Sequence, residues 1–177
     1  MTPVGDVLAV FNAGSTSLKF GAYAPGAGHS PALLCRGRID SLQGDPHFVV
    51  TRPGGAPWAT HEWGEGHAID HAAALQFIIG WLEANLVGAK VVGAGHRILL
   101  GGERYEAPAR LDPEALDYLD ALVAMEPSHQ AANLKGARAF AAALRRAGSE
   151  SERRLRASAR VSSSRPTLTT MRLSVSS

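Results

Sequence analysis

The sequence predicts a mixed α/β chain that opens on β-strands and continues in helices. Two observations carry that reading. Residues 7–11 form a continuous apolar run, and Leu18, Phe20 and Ala22 then alternate with Lys19, Gly21 and Tyr23 at strand period. Residues 68–86 and 131–146 instead place their apolar side chains at helical spacing.

The two opening strands are joined by Asn12, Gly14, Ser15, Thr16 and Ser17, a turn composition that offers amides and hydroxyls to an anion. The same residues also suit an ordinary hairpin connection, in which Ser and Thr bond only their own backbone. The Gly-Lys-Ser/Thr ending of a Walker A loop is absent. Residues 33–42 and 48–51 read as a third and a fourth strand. Residues 52–66, rich in Pro, Gly and polar side chains, read as a loop, with Trp58 and Trp63 as packing anchors.

The helix at 68–86 is apolar almost all round, which argues for burial between layers. His67 and His71 lie four apart on it, but no third ligand and no His-Glu-x-x-His pattern accompany them, so a zinc site is not expected. Residues 90–94 form a short apolar strand leading into Gly95-His96-Arg97. Asp112 is placed to cap a helix with Pro113 at its first position. Pro127 breaks the pattern after it. The helix at 131–146 then turns Leu134, Ala137, Ala141 and Leu144 inward, carries Arg145 and Arg146 at its negative end and stops at Gly148.

Composition sets the outer limits. The 177 residues suit one domain, and 45% hydrophobic content is enough to bury a core. The single cysteine, Cys35, excludes an intramolecular disulfide and reads as a small core residue. No stretch has the length of a membrane span, and no basic flank precedes an apolar N-terminal core. No membrane association is expected, and the cytoplasm is the expected compartment. The sequence pI near 9.0 comes from the tail. Residues 1–149 hold 12 Lys and Arg against 14 Asp and Glu, whereas residues 150–177 hold six Arg against two Glu. The body therefore has no basic surplus of the kind nucleic-acid binding requires, and no nucleic-acid partner is expected. The Arg- and Ser-rich residues 149–177 keep no sustained apolar period and are expected to be disordered.

Three segments concentrate the residue types that chemistry uses. The first is Asn12-Ala13-Gly14-Ser15-Thr16-Ser17-Leu18-Lys19-Phe20. The second is Gly95-His96-Arg97-Ile98-Leu99-Leu100-Gly101-Gly102, in which the Arg97 fork matches a carboxylate or phosphate bidentately. The third is Glu126-Pro127-Ser128-His129-Gln130-Ala131-Ala132-Asn133. Taken singly, His96 also reads as a core histidine, Arg97 as a surface ion pair, and His129 and Asn133 as helix caps.

In this order the three segments resemble the N-terminal half of the acetokinase family, the acetate kinases of the sugar kinase, heat-shock 70 and actin superfamily. That family shows N-x-G-S-S-S-x-K-[FY], then G-H-R-[VI]-V-H-G-G, then A-P-L-H-N-P-x-N. The resemblance covers about residues 6 to 146. It implies a ribonuclease H-like α/β domain over residues 1–148, a mixed sheet with an antiparallel hairpin first and helices on both faces. It also implies reversible phosphoryl transfer from ATP to acetate, giving acetyl phosphate and ADP, with Mg²⁺ as cofactor and a homodimer as the full-length assembly. Residue by residue, it implies that Asn12 helps hold Mg²⁺, that Lys19 neutralises phosphate charge, and that Ser15 and Ser17 line the phosphoryl site. Arg97 is implied to grip the substrate carboxylate, Leu99 and Ser128 to line the pocket for the acetate methyl, and His129 to support it.

The sequence also departs from the family. Leu100 replaces the histidine of H-G-G, Ser128 replaces an apolar pocket residue, and Gln130-Ala131 replaces Asn-Pro. Such changes suit either another short-chain acid such as propionate or a relaxed function. The family's catalytic acid, transition-state residues and nucleotide-binding domain all lie beyond the third motif, and the F-D-T-A-F-H segment is absent here. The expectation is a chain that does not catalyse alone and that associates through whatever face a partner domain would cover. The alternative is a non-catalytic binding module of the same fold.

Overall fold

The structure, a computed structural model, describes residues 4–26, 30–148, 155–160 and 172–175. The strands are β1 (Asp6–Ala13), β2 (Leu18–Ala24), β3 (Ala32–Asp40), β4 (His47–Thr51), β5 (Pro57–Glu62), β6 (Lys90–His96), β7 (Pro108–Ala109), β8 (Leu155–Arg160) and β9 (Arg172–Val175). The helices are α1 (His71–Asn85), α2 (Pro113–Ala121) and α3 (Pro127–Gly148), with a 3-10 turn at Leu122–Met125.

Six strands form one sheet in the order β5-β4-β3-β2-β1-β6. Every pairing is antiparallel except β1 with β6, which is parallel. A parallel neighbour needs a crossover, and α1 supplies it. Alternation decides which face is buried. Val7, Ala9, Phe11 and Ala13 of β1 lie on the same face as Leu18, Phe20, Ile39, Phe48 and Val50, and all are buried. α1 lays Leu75, Ile78 and Leu82 on this face, where Phe77 and Trp81 meet the Phe48 ring at 5.0 and 5.6 Å. α3 meets the same face through Phe140, 5.0 Å from Phe11. α2 packs on α3 in a second cluster of Ile98, Leu111, Ala115, Leu119, Leu134 and Ala137, and an Arg138–Asp120 ion pair joins the two helices.

Several expectations change. The helices were expected on both faces of the sheet, but α1 and α3 share one face, and the opposite face keeps Lys19, Arg36 and Arg38 exposed. Residues 52–66 contain β5 inside the expected loop. Its side chains are mostly exposed because it is the sheet edge, where a leading Pro57 costs no ladder bond and the apolar alternation that marks a strand is not required. α1 starts at His71 rather than 68, because the Asp70 side chain accepts from the Ala73 N–H and caps it. His67 therefore lies outside the helix and shares no helix face with His71. α3 starts at Pro127 rather than 131, since proline at the first position lacks only an N–H that would have gone unused. In the tail, β8 pairs with β7 and with β9. Leu155, Ala157 and Ala159 alternate with Arg156, Ser158 and Arg160, a local strand period that composition alone hides. The rest of the tail lies outside the described residues.

Trp58 and Trp63 act as packing anchors, against Trp81 at 5.1 Å and Phe77 at 4.7 Å. Cys35 is buried in the core, and burial pushes its thiol up to about 11. Among the described residues, Val87 and Met125 are the large apolar side chains left exposed. No helix among the described residues is long and apolar enough to cross a membrane.

Gly37 lets the Phe20 ring lie across β3. A Cβ there would overlap the Val49 carbonyl oxygen and stand 2.6 Å from Phe20 Cε1. Gly37→Val is expected to cost about 3 kcal/mol or more in urea unfolding. Gly44→Ala, where a Cβ meets nothing within 4 Å, is expected to stay within about 0.5 kcal/mol.

Candidate functional site

The site is built where the C-terminal ends of β1 and β6 meet the β1–β2 turn. Asn12 pairs with Lys19 across the hairpin, and Lys19 pairs with Arg38 on β3. Their side chains fall on the face opposite the helices, because neighbours Phe11, Ala13, Leu18 and Phe20 are the buried ones. Lys19 is exposed, and its ammonium makes no hydrogen bond or ion pair with any described residue. Ser15 is exposed in the turn. Ser17 is half-buried, and its carbonyl accepts the Gly14 N–H at 2.8 Å to close the turn.

Three elements distant in sequence clamp this turn. Asn133 on α3 donates Nδ2 to the Ala13 carbonyl at 2.6 Å. His71, at the start of α1, faces the Gly14 carbonyl with Nε2 at 2.7 Å, and since a carbonyl only accepts, Nε2 carries the proton. The Leu42 N–H donates to the Thr16 carbonyl at 2.9 Å. Asn133 and His71 are both buried, so each hydrogen bond also satisfies a side chain that water cannot reach.

The second segment continues β6. The Arg97 N–H donates to the Phe11 carbonyl at 3.0 Å, extending the parallel ladder one residue and setting Arg97 beside Asn12. His96 is buried on the core side, so strand alternation puts Arg97 on the Asn12–Lys19 face. Arg97 is half-buried, and its guanidinium makes no hydrogen bond or ion pair with any described residue. His96 Nδ1 donates to the Arg97 carbonyl at 2.7 Å, which leaves Nε2 unprotonated and without a partner among the described residues. Burial, with a contribution from nearby His71, lowers its pKa to about 4 against the opposing pull of that carbonyl. α3 approaches here only because residue 136 is glycine, since a Cβ would stand 2.8 Å from His96 Nε2.

Gln130 ties the second segment to the third. It is fully buried, donates Nε2 to the Leu100 carbonyl at 3.0 Å and accepts the Leu100 N–H on Oε1 at 3.0 Å. Leu99, half-buried, precedes that clamped peptide. Gly102 follows with φ of +60°, and a Cβ there would overlap the Tyr118 hydroxyl. At the front of α3, Glu126 accepts from Ser128 Oγ and from His129 Nδ1, both at 2.9 Å. The His129 bond, then the Ser128 bond, hold the Glu126 carboxyl below the usual carboxylate range. Ser128 and His129 are exposed and bond to this local carboxylate. Among the described residues neither bonds to Arg97.

The structure thus brings Asn12, Ser15, Ser17, Lys19 and Arg97 to one end of the sheet. Leu99, Ser128 and His129 sit on the loop and helix start beside it. Sequence reasoning missed the parts beneath and beside them. Asn133 is a buried anchor rather than a cap, and His71 belongs to this site. A groove of about 610 Å³ runs from Lys19 along Arg36, Arg38, Asp40 and Thr51 on the open face. The alternation of Arg36 and Arg38 with Cys35, Gly37 and Ile39 was the signal that could have found it.

Comparison with known proteins gives a consistent result. The model of the acetokinase family matches residues 7–149. An acetate kinase of Rhodopseudomonas palustris (strain TIE-1) is 36% identical over 142 residues, covering 78% of this chain and 34% of that protein. A propionate kinase of Yersinia enterocolitica is 29% identical over 148 residues, covering 79% of this chain and 34% of that protein. The chain spans about a third of the length of the curated relatives it matches. Among solved structures, an acetate kinase of Porphyromonas gingivalis superposes with a TM-score of 0.67 at 24% identity, over 79% of this chain and 35% of that one. A propionate kinase of Francisella tularensis superposes at 0.66 and 20% identity, over 79% and 34%. The fold is therefore the ribonuclease H-like α/β fold of the actin, sugar kinase and heat-shock 70 superfamily.

Two measurements check the framework under the site. Asn133→Leu strips the Ala13 carbonyl of its buried donor and is expected to cost about 1–3 kcal/mol in urea unfolding. His96 titrates near 6.5 when unfolded and about 4 when folded, so between those values the unfolded chain binds more protons. Stability is then fully present above pH 6.5 and falls as pH drops towards 4, by about 3 kcal/mol in all. His96→Asn, which keeps a donor but does not titrate, is expected to flatten that slope. An unchanged slope would show that His96 is not the group responsible.

Proposed function

The chain belongs to the acetokinase family, and on that premise we propose that it carries the carboxylate- and phosphoryl-binding wall of an ATP:short-chain-carboxylate kinase. The reaction is reversible transfer of the γ-phosphoryl group of ATP to acetate, giving acetyl phosphate and ADP. The observation that carries this reading is the convergence of two unpartnered cations, Lys19 and Arg97, on either side of Asn12 at one sheet end.

The chemistry suits those groups. A carboxylate is already ionised at neutral pH, so no general base is needed. It must be oriented against an electrophilic phosphorus, and the negative charge gathered on the phosphoryl oxygens must be offset. Arg97 grips the carboxylate bidentately and fixes its attacking oxygen. Lys19 and the hydroxyls of Ser15 and Ser17 hold the phosphoryl oxygens. Leu99 bounds the acyl group, and the Gln130 clamp on Leu100 keeps that wall from moving. Ser128 and His129, tied to Glu126, border the pocket.

Among the described residues no three carboxylate, histidine or cysteine side chains gather as metal ligands, and Lys19 stands beside Asn12. That donor set fits Mg²⁺ arriving on nucleotide phosphates, with the Asn12 amide oxygen as one ligand, rather than a resident ion. Bound so, Mg²⁺ would supply positive charge to offset the phosphate oxygens. We propose that the 177-residue chain binds without turning over, that the full-length assembly is a homodimer, and that the compartment is the cytoplasm. A propionate kinase among the relatives, with Leu100, Ser128 and Gln130 departing from the family motif, supports propionate as the second candidate acceptor.

Calorimetric titration tests this. Arg97→Ala is expected to weaken acetate and propionate binding tenfold or more, and Lys19→Ala to weaken phosphate binding similarly. The ratio of acetate to propionate affinity in the unsubstituted chain names the preferred acid. Unchanged affinities in both variants would overturn the assignment, and acetyl phosphate formation from ATP, Mg²⁺ and acetate by the isolated chain would overturn the claim that it does not turn over.

A further inference from the structure

We infer that His71 is a positioning residue for anion binding: by holding the Gly14 carbonyl it turns the Ser15 N–H outward as a phosphoryl-oxygen donor. This deepens the proposed function and rests on it.

The argument starts from the peptide bond. There are no cis peptides among the described residues, so the carbonyl of Gly14 and the N–H of Ser15 point in opposite directions within one planar unit. His71 Nε2 fixes that carbonyl at 2.7 Å from the α1 side. The Ser15 N–H is thereby aimed away from α1, and no described residue accepts it. The next peptide but one repeats the arrangement. The Leu42 N–H takes the Thr16 carbonyl at 2.9 Å, and the Ser17 N–H is likewise left without an acceptor among the described residues. Two inward carbonyls therefore leave two aimed amides, spaced two residues apart and flanked by the Ser15 and Ser17 hydroxyls. Backbone N–H groups left free and fixed in direction within one turn are the kind of donor that makes an anion-binding concavity.

The two anchors differ in kind. Leu42 acts through its backbone, so substitution leaves its contribution in place. His71 acts through a side chain that is 8% exposed, so the aim of Ser15 can be removed by one substitution. His71 touches no reacting atom in this scheme. It acts only through the turn, across 57 residues of sequence.

The test is a titration of the ¹⁵N-labelled 177-residue chain with inorganic phosphate, read by amide chemical shift and by calorimetry. In the unsubstituted chain the Ser15 and Ser17 amides are expected to move downfield together, with one dissociation constant. His71→Leu is expected to weaken phosphate binding roughly tenfold and to abolish the Ser15 shift, while the Ser17 shift persists. His71→Gln, which keeps a donor of similar reach, is expected to recover most of both, an outcome that a purely structural loss would not give selectively. Lys19→Ala is run in parallel. If phosphate binds in a Lys19-dependent manner but the Ser15 amide stays still, or His71→Leu binds normally, the positioning role is wrong and the proposed function stands. If phosphate does not bind the unsubstituted chain, both are wrong. Should His71→Leu fail to fold, the Ser15 shift in the unsubstituted and His71→Gln chains decides the matter alone.

Discussion

Two carbonyls, those of Ala13 and Gly14, are pulled into the protein by Asn133 at 2.6 Å and His71 at 2.7 Å, and the geometry of the site depends on that. A hairpin turn at the end of two strands would otherwise be free to flex. These donors come from two different helices, α3 and α1, so the turn reads the docking of both onto the sheet. A buried carbonyl deprived of its donor is costly, which makes the arrangement close to all-or-none. The same docking places Gly136 against His96, and His96 in turn holds the peptide that carries Arg97. The β1–β2 turn and the strand end that carries Arg97, the proposed phosphate and carboxylate sides of the site, are thus set by one packing event.

The sheet separates support from chemistry. One face carries Phe11, Phe20, Phe48 and Val50 and receives α1 and α3. The other carries the polar row Asn12, Lys19 and Arg38. Period-2 alternation enforces the division, since a slip of one residue in β2 would bury Lys19 and expose Phe20. The core therefore fixes the register that aligns Asn12 with Lys19. The groove beside that row, with Arg36 and Arg38, extends the positive character of the face away from the turn. Asp40 offsets Arg38 there, which leaves Lys19 and Arg36 as the cations without a partner among the described residues.

The local parts of this design were legible in the sequence and the long-range parts were not. The opening hairpin, the Asp112 cap with Pro113, and the order of the three motifs follow from patterns within a few residues. The pairing of β1 with β6 brings Arg97 to Asn12 across more than eighty residues, and only the resemblance to a family suggested it. His71 read as half of an unconvincing metal pair because its partner is a backbone carbonyl, which has no sequence signature. Asn133 read as a cap for the same reason. β5 was missed because an edge strand need not show apolar alternation. Pro127 was read as a break, although at the first position of a helix it is a start.

The central claim is that the β1–β2 turn, Lys19 and Arg97 grip one ligand. A crystal structure of the chain grown with an unreactive phosphonate isostere of acetyl phosphate tests it most directly. The account predicts phosphonate oxygens within hydrogen-bond distance of Lys19 Nζ and the turn, with the carbonyl end against Arg97. A ligand seated instead along Arg36 and Arg38, or touching Lys19 without Arg97, would contradict it.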